Sequence, residues 1–261
     1  MKLGIAGKRA IVLGASKGLG AAIAVALANE GVTVIGGARS VDKITALNQR
    51  LEANTSGTIT GLSLDLSDPA SVAAFISAVE SAGGADIVVN NSGGPPPGEA
   101  GTIAPAEFSR AFDTMVTPLV AITQAMLPGM KARRWGRIVT LTSSGVEAPI
   151  ARLALSNALR QSLVGWSKTL AAEVAGDNIT ANVVVQGRVH TDRVDELDAG
   201  AAKRLGKSLD EVRAQSIATI PAGRYGRPEE LADVVTFLAS ERSSYITGSL
   251  IRVDGGMLKN I

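Results

Sequence analysis

The 261-residue chain has no cysteine and a single histidine, His190. The first absence excludes disulfides, thiolate chemistry and cysteine-ligated metals. The second excludes a multi-histidine metal site. Aromatic residues make up only 3% of the chain, so Ala, Val, Leu and Ile must fill any core. No apolar run reaches the ~20 residues of a membrane span, and no secretory leader pattern is present. The expectation is a cytoplasmic protein without a membrane partner. Net charge is only +2, and the basic residues are scattered. The run Lys131-Ala132-Arg133-Arg134 falls at the end of a helical pattern, where cations suit the helix dipole. No nucleic-acid surface is expected. What the chain has in quantity is aliphatic residues, enough for one large α/β domain.

One stretch organises the rest, Arg9 to Leu27. Ala10-Ile11-Val12-Leu13 has the length and content of a buried parallel strand. Gly14-Ala15-Ser16-Lys17-Gly18-Leu19-Gly20 follows, and then an Ala-rich helical pattern. Strand, glycine turn and helix are the parts of a phosphate cradle. The glycines admit a close backbone approach, and the helix N-terminus offers free N–H groups at a positive dipole end. The spacing is G-x-x-x-G-x-G, and an ordinary tight strand-to-helix turn would also use glycines there.

Further along, short apolar runs alternate with helical patterns. Strands are predicted at 32–35, 59–64, 87–89, 137–141, 179–185 and 250–253. Helices are predicted at 41–53, from Asp68-Pro69 to about Ser81, from Pro105 towards Met130, at 155–174, and from Pro228. The helix from Pro105 is expected to be disturbed at Pro118 and to end near Pro128. Residues 187–222 read as polar and irregular with helical patches, and are expected to lid the site. Strand–helix alternation implies a doubly wound parallel sheet of about seven strands with helices on both faces, in a single domain spanning 1–261. Ligands of such sheets sit at the carboxyl ends of the strands, and every glycine-rich or polar loop noted here follows a strand.

The glycine turn, Asp65 after the third strand, Asn90-Asn91-Ser92-Gly93, and Tyr245-Ile246-Thr247-Gly248 with Val253-Asp254-Gly255-Gly256 occur in a fixed order. In these motifs the whole chain resembles the short-chain dehydrogenase/reductase family, close to its 3-oxoacyl-carrier-protein reductases. The resemblance implies a Rossmann-type fold and a dinucleotide cofactor. It places Gly14, Ser16, Gly18, Leu19 and Gly20 at the phosphates, Asp65 and Leu66 at the adenine, Asn90 near the adenosine ribose, and Val189 and Thr191 at the nicotinamide end. An acid closing the second strand would repel a 2′-phosphate. This chain has Ala38 and Arg39 there, with Lys17 in the glycine turn, which favours NADP(H) over NAD(H).

The catalytic half departs from the family pattern. The family uses a Tyr as proton donor, a Lys four residues later that lowers its pKa and binds ribose, a Ser that polarises the carbonyl, and an Asn in the preceding long helix. Here the Ser position is Ser143, but the Tyr and Lys positions are Ser156 and Arg160. The spacing of four keeps both on one helix face. The Asn position is Met115, and Gln186 replaces the usual Pro after the sixth strand. Arg160 keeps the charge and can donate to ribose hydroxyls, but it cannot pass protons. A serine hydroxyl is no general acid near neutrality, whereas a tyrosine starts near 10 and can be lowered. Alternative proton donors are His190, beside Thr191, and Glu147, beyond Ser143; each can equally be an ordinary loop residue.

Two functions therefore stand as expectations. One is an NADP(H)-dependent oxidoreductase acting on a small carbonyl or alcohol substrate through an atypical proton relay. The other is an NADP(H)-binding sensor or scaffold that does not turn over. The resemblance also implies a homodimer or homotetramer, paired through helices 105–128 and 155–175 and the C-terminal segment. The charges of 187–222, such as Arg188, Arg193, Lys203 and Arg204, permit an anionic substrate or simply solvate the lid.

Overall fold

The computed structural model describes residues 2–261. Its strands are β1 (Arg9–Leu13), β2 (Thr33–Ala38), β3 (Thr58–Ser63), β4 (Ile87–Asn90), β5 (Gly136–Ser143), β6 (Ile179–Gln186) and β7 (Leu250–Val253). The helices are α1 (Gly18–Asn29), α2 (Val41–Thr45), α3 (Pro69–Ser81), α4 (Pro105–Met115), α5 (Thr117–Arg133), α6 (Ala154–Val174), α7 (Asp192–Leu205), α8 (Leu209–Ala218) and α9 (Pro228–Leu238).

The strands form one parallel sheet in the order β3-β2-β1-β4-β5-β6-β7. Successive side chains on a strand point to opposite faces, so a sheet covered on both sides must be apolar at every position. In β1, Ala10 and Val12 pack with Ile23 and Leu27 of α1 and with Leu231 and Val235 of α9. Ile11 and Leu13 face the other way, into a core with Phe75 of α3, Ile122 of α5 and Leu163 of α6. This is the doubly wound Rossmann-type fold expected, as a single domain.

The chain runs outward from β1 through β2 to β3, then returns to place β4 on the other side of β1. Strand order reverses there, and the carboxyl ends of β1 and β4 diverge into a crevice. The loops after β1, β2, β4, β5 and β6 all open onto it.

Three details differ from expectation. The helix predicted at 41–53 is α-helical only to Thr45 and continues as a 3-10 turn over Ala46–Arg50. The helix from Pro105 breaks at Val116 as expected, because the Pro118 ring excludes a regular helical carbonyl at residue 114, but its end differs. It does not end at Pro128; α5 runs through to Arg133. Burial of Met126 and Met130 on either side offsets the one hydrogen bond that proline removes. Finally, 187–222 is not irregular but holds α7 and α8. Helix α7 has Asp192 and Asp195 in its first turn, Lys203 and Arg204 in its last, and Gly206 in the left-handed region (φ 64°) as C-cap. Helix α8 opens with a capping box between Ser208 and Glu211. These are helix-end signals, present in a segment whose polarity hides any core-facing period.

Candidate active site

The crevice is a cleft of about 1520 Å³. That exceeds the ~300–1,000 Å³ usual for a small-molecule site and leaves room for a dinucleotide beside a second molecule.

At one end lies the glycine turn. Gly14 and Gly18 take positive φ (65° and 56°), a conformation that side chains resist. A Cβ at Gly20 would stand 2.3 Å from the Gly14 carbonyl oxygen, so only glycine lets α1 start this close to the turn. Helix α1 has no acidic residue in its first turn, leaving its N–H groups to an anion. Ser16, Gly18 and Leu19 line the cleft here. Lys17 lines it too, but its Nζ is 3.2 Å from Asp192 on α7, so it ties the turn to the lid.

Beyond β2, Arg39, Ser40 and Lys43 line the cleft wall, and no acid closes the strand. Asp65 faces the same space. Its carboxylate accepts from the Ser67 hydroxyl (2.6 Å) and backbone N–H (2.9 Å). These bonds, with Arg39 nearby, hold it below the ordinary carboxylate range. Leu66 borders it.

Asn90 is a correction. It is fully buried, and its side chain is engaged by Thr123 and Thr140 (2.9 and 3.3 Å), so it pins β4 to α5 and β5 and does not line the cleft. The residues after it do: Asn91, Ser92 and Gly93. Asn91 donates to the Leu13 carbonyl at the end of β1.

At the other end stand Ser143, Ser156 and Arg160. Ser143 closes β5, and its Oγ accepts from Gly145 N–H. Arg160 is 93% buried, since its relative exposure is 7%. Its Nε donates to Ser156 Oγ (3.3 Å), Nη1 to the Leu141 carbonyl (3.2 Å) and Nη2 to the Ser92 carbonyl (3.3 Å). All three partners are neutral. Burial, and then the like charge of Arg193, push its pKa down to about 10, so at neutral pH the guanidinium is still fully charged. Met115 and Gln186 line the same end. Gln186 Oε1 and Ser92 Oγ are buried there without hydrogen-bond partners. Val189, buried, and Thr191, the N-cap of α7, complete the wall toward Gly18.

The two alternative proton donors are not in the cleft. His190 is exposed on the far side of its strand exit, with Nε2 3.4 Å from Asp195. Extended backbone alternates side chains, so a residue between cleft-lining Val189 and Thr191 points away. Glu147 turns to the opposite side of the β5 loop, where Arg252 Nε (3.0 Å) and Asn260 bind it. The Arg252 bond keeps it ionised, with its pKa lowered. Tyr225 is also structural: its hydroxyl donates to Asp198 (2.8 Å), the fully buried carboxylate that also holds Arg188. Among the described residues, no tyrosine or histidine lines the cleft. The sequence motifs gave Ser92 no role; only its buried, unpartnered hydroxyl singles it out.

A doubly wound sheet with this glycine turn defines a dinucleotide-binding protein. The profile of the family described as "Enoyl-(Acyl carrier protein) reductase" matches residues 14–258. The chain is 36% identical to the 3-oxoacyl-[acyl-carrier-protein] reductase FabG of Escherichia coli (strain K12), over 96% of this chain and 97% of that protein. It is 33% identical to a Monensin polyketide synthase putative ketoacyl reductase of Streptomyces virginiae, covering 95% and 96%. Among solved structures, L-sorbose reductase from Gluconobacter frateurii, complexed with NADPH and L-sorbose, superposes with a TM-score of 0.92 at 33% identity over the full length of both chains. The chain therefore belongs to the short-chain dehydrogenase/reductase family of oxidoreductases, among relatives of the 3-oxoacyl-carrier-protein reductase type. No helix among the described residues is long and apolar enough to cross a membrane.

Proposed function

We propose that this protein is an NADP(H)-dependent oxidoreductase that interconverts a small carbonyl compound and its alcohol without the family's tyrosine. One observation carries the reading: two hydroxyls, Ser143 and Ser156, share the end of a dinucleotide-sized cleft with a buried, charged Arg160 hydrogen-bonded to one of them.

The residues fit the cofactor. The left-handed glycines and the acid-free start of α1 suit a pyrophosphate. Arg39 and Lys43, with Ala38 where an acid would otherwise stand, suit a 2′-phosphate. Asp65, Leu66, Val189 and Thr191 would border the adenine and nicotinamide ends. Bound NADPH supplies the hydride. The chain's part is to hold the carbonyl oxygen with the Ser143 and Ser156 hydroxyls. Arg160, polarising Ser156 from a site of low dielectric, stabilises the negative charge that develops on that oxygen. Neither hydroxyl is an acid at neutral pH, so the completing proton comes from water in the cleft. The L-sorbose reductase and ketoreductase relatives support a carbonyl substrate.

The absence of tyrosine and histidine from the described cleft lining favours a second reading, an NADP(H)-binding protein that does not turn over. Equilibrium titration with NADPH and NADH, followed by a carbonyl panel, separates the two. Turnover that exceeds background and falls at least tenfold in Ser143→Ala supports the enzyme. Tight NADPH binding with no turnover on any carbonyl supports the binding protein. We also propose a homodimer or homotetramer. Phe108 and Phe112, one turn apart and exposed on α4, support pairing there, and a monomer by light scattering would end this assignment.

A further inference from the structure

Arg160 presents an imbalance that the proposed reaction does not use up. It is a permanently charged group, 93% buried, with only neutral partners: two carbonyls and one hydroxyl. An ionised group removed from water is costly unless an opposite charge meets it, and no carboxylate among the described residues does. Beyond burial itself, the charge that acts on it is another cation, Arg193, which lowers the Arg160 pKa.

Arg193 comes from α7, the lid. Its Nη2 donates to the Pro95 carbonyl (3.1 Å), and its Nη1 is 3.3 Å from the exposed Glu196. It thus ties the lid to the proline loop, and Arg193 and Arg160 both line the cleft. Arg193 has Glu196 as a countercharge, whereas Arg160 has none, so an anion entering the cleft gains most at Arg160. A third observation is independent of charge. Ser92, whose carbonyl holds Arg160 Nη2, has its own hydroxyl buried and unpartnered, and Ser92 is 92% buried, its relative exposure being 8%. A hydroxyl with no acceptor is the donor that an anionic oxygen lacks. The phosphates of a dinucleotide do not fill this role, because their cradle is the glycine turn at the opposite end.

We infer that the substrate is an oxo acid, a carbonyl compound carrying a carboxylate, and that Arg160, Ser92 and Arg193 form the carboxylate subsite. This rests on the oxidoreductase reading for the carbonyl, but not for the anion site. The carbonyl oxygen takes the Ser143 and Ser156 hydroxyls. The carboxylate takes the Arg160 guanidinium and the Ser92 hydroxyl, with Arg193 on the wall of the same cleft.

The test compares matched ligands on the full-length protein with saturating NADPH. Butyrate and butyramide differ in charge and little in shape, and calorimetric titration gives the affinity of each without any turnover. Butyrate is expected to bind at least tenfold tighter than butyramide. Arg193→Gln should weaken butyrate about tenfold and butyramide much less. Arg160→Met should abolish the preference, and the single substitution Ser92→Ala should reduce it if Arg160→Met fails to fold. In steady state, 2-, 3- and 4-oxo acids should exceed their methyl esters in kcat/KM by a similar factor. Equal binding of acid and amide, or a preference unchanged in Arg193→Gln and Ser92→Ala, overturns the inference. Selective butyrate binding without turnover of any oxo acid would uphold the anion site and sink the enzyme reading instead. If NADPH does not bind, the same titrations on the protein alone decide the anion site.

Discussion

Substituting Gly20 by alanine tests the phosphate cradle directly. The new Cβ would stand 2.3 Å from the Gly14 carbonyl oxygen, 2.7 Å from its carbon and 3.1 Å from Ala15 Cα, where ordinary contact begins near 3.4 Å. All three neighbours are backbone and cannot rotate aside. The turn and α1 must therefore separate by about 1 Å, the difference between 3.4 and 2.3 Å. Overpacking of this kind costs ~1–3 kcal/mol. At about 2–4 °C per kcal/mol for a chain of this size, Tm should fall by roughly 2–12 °C. The same displacement carries the N–H groups of α1 out of hydrogen-bond range of a phosphate. Each such charge-assisted bond is worth ~1.5–3 kcal/mol, so NADPH affinity should drop tenfold or more. Gly165→Ala is the matched control. Gly165 lies within α6, and a Cβ there meets nothing within 4 Å. Alanine in mid-helix gains ~0.5–1 kcal/mol, so Tm should rise by roughly 1–4 °C. Differential scanning calorimetry and fluorescence titration with NADPH read both. If Gly20→Ala melts and binds like the parent, the packing of turn on helix is not what the cleft depends on, and the argument fails.

Arg39→Ala should weaken NADPH about ten- to a hundredfold and leave NADH within a factor of three, by equilibrium titration; equal losses for both would refute the 2′-phosphate assignment. His190→Ala should leave turnover and NADPH affinity unchanged, because the imidazole faces Asp195 outside the cleft; lost carbonyl reduction would restore it as a proton donor. Glu230 accepts from both Arg224 Nη groups and from Arg227 N–H, and the Arg224 bonds chiefly lower its pKa to about 2. Its contribution to stability is therefore complete above the unfolded value near 4.5 and is lost as pH falls from there towards 2. Thermal melts across that window should show a smaller drop for Glu230→Gln than for the parent, whose curve would otherwise coincide with it.

Local pattern in the sequence carried a large part of this protein. A parallel sheet buried on both faces needs unbroken aliphatic strands, so β1 and β4 could be read directly, as could the proline-started helices α3 and α9. The glycine turn was legible because left-handed backbone and close approach leave glycine as the residue that fits. The lid helices α7 and α8 were legible only as helical patches, although their ends are written in Asp192, Gly206 and the Ser208–Glu211 pair. Their polar, exposed faces supply no apolar period to notice. The end of α5 was misplaced because a single proline is tolerated when both neighbouring turns are buried.

The site shows the same division. Sequence spacing put Ser156 and Arg160 on one face of α6, and that follows from helix geometry alone. Which way each polar side chain turns depends on neighbours far along the chain. Asn90 is drawn inward by Thr123 and Thr140, His190 is turned outward toward Asp195, and Glu147 is taken by Arg252. The burial of Arg160 without a countercharge is likewise a property of three strand ends meeting. Residue identity sets what a group can do chemically and what backbone it tolerates, while dielectric surroundings and partners are set by segments brought together only when the sheet closes over its two cores.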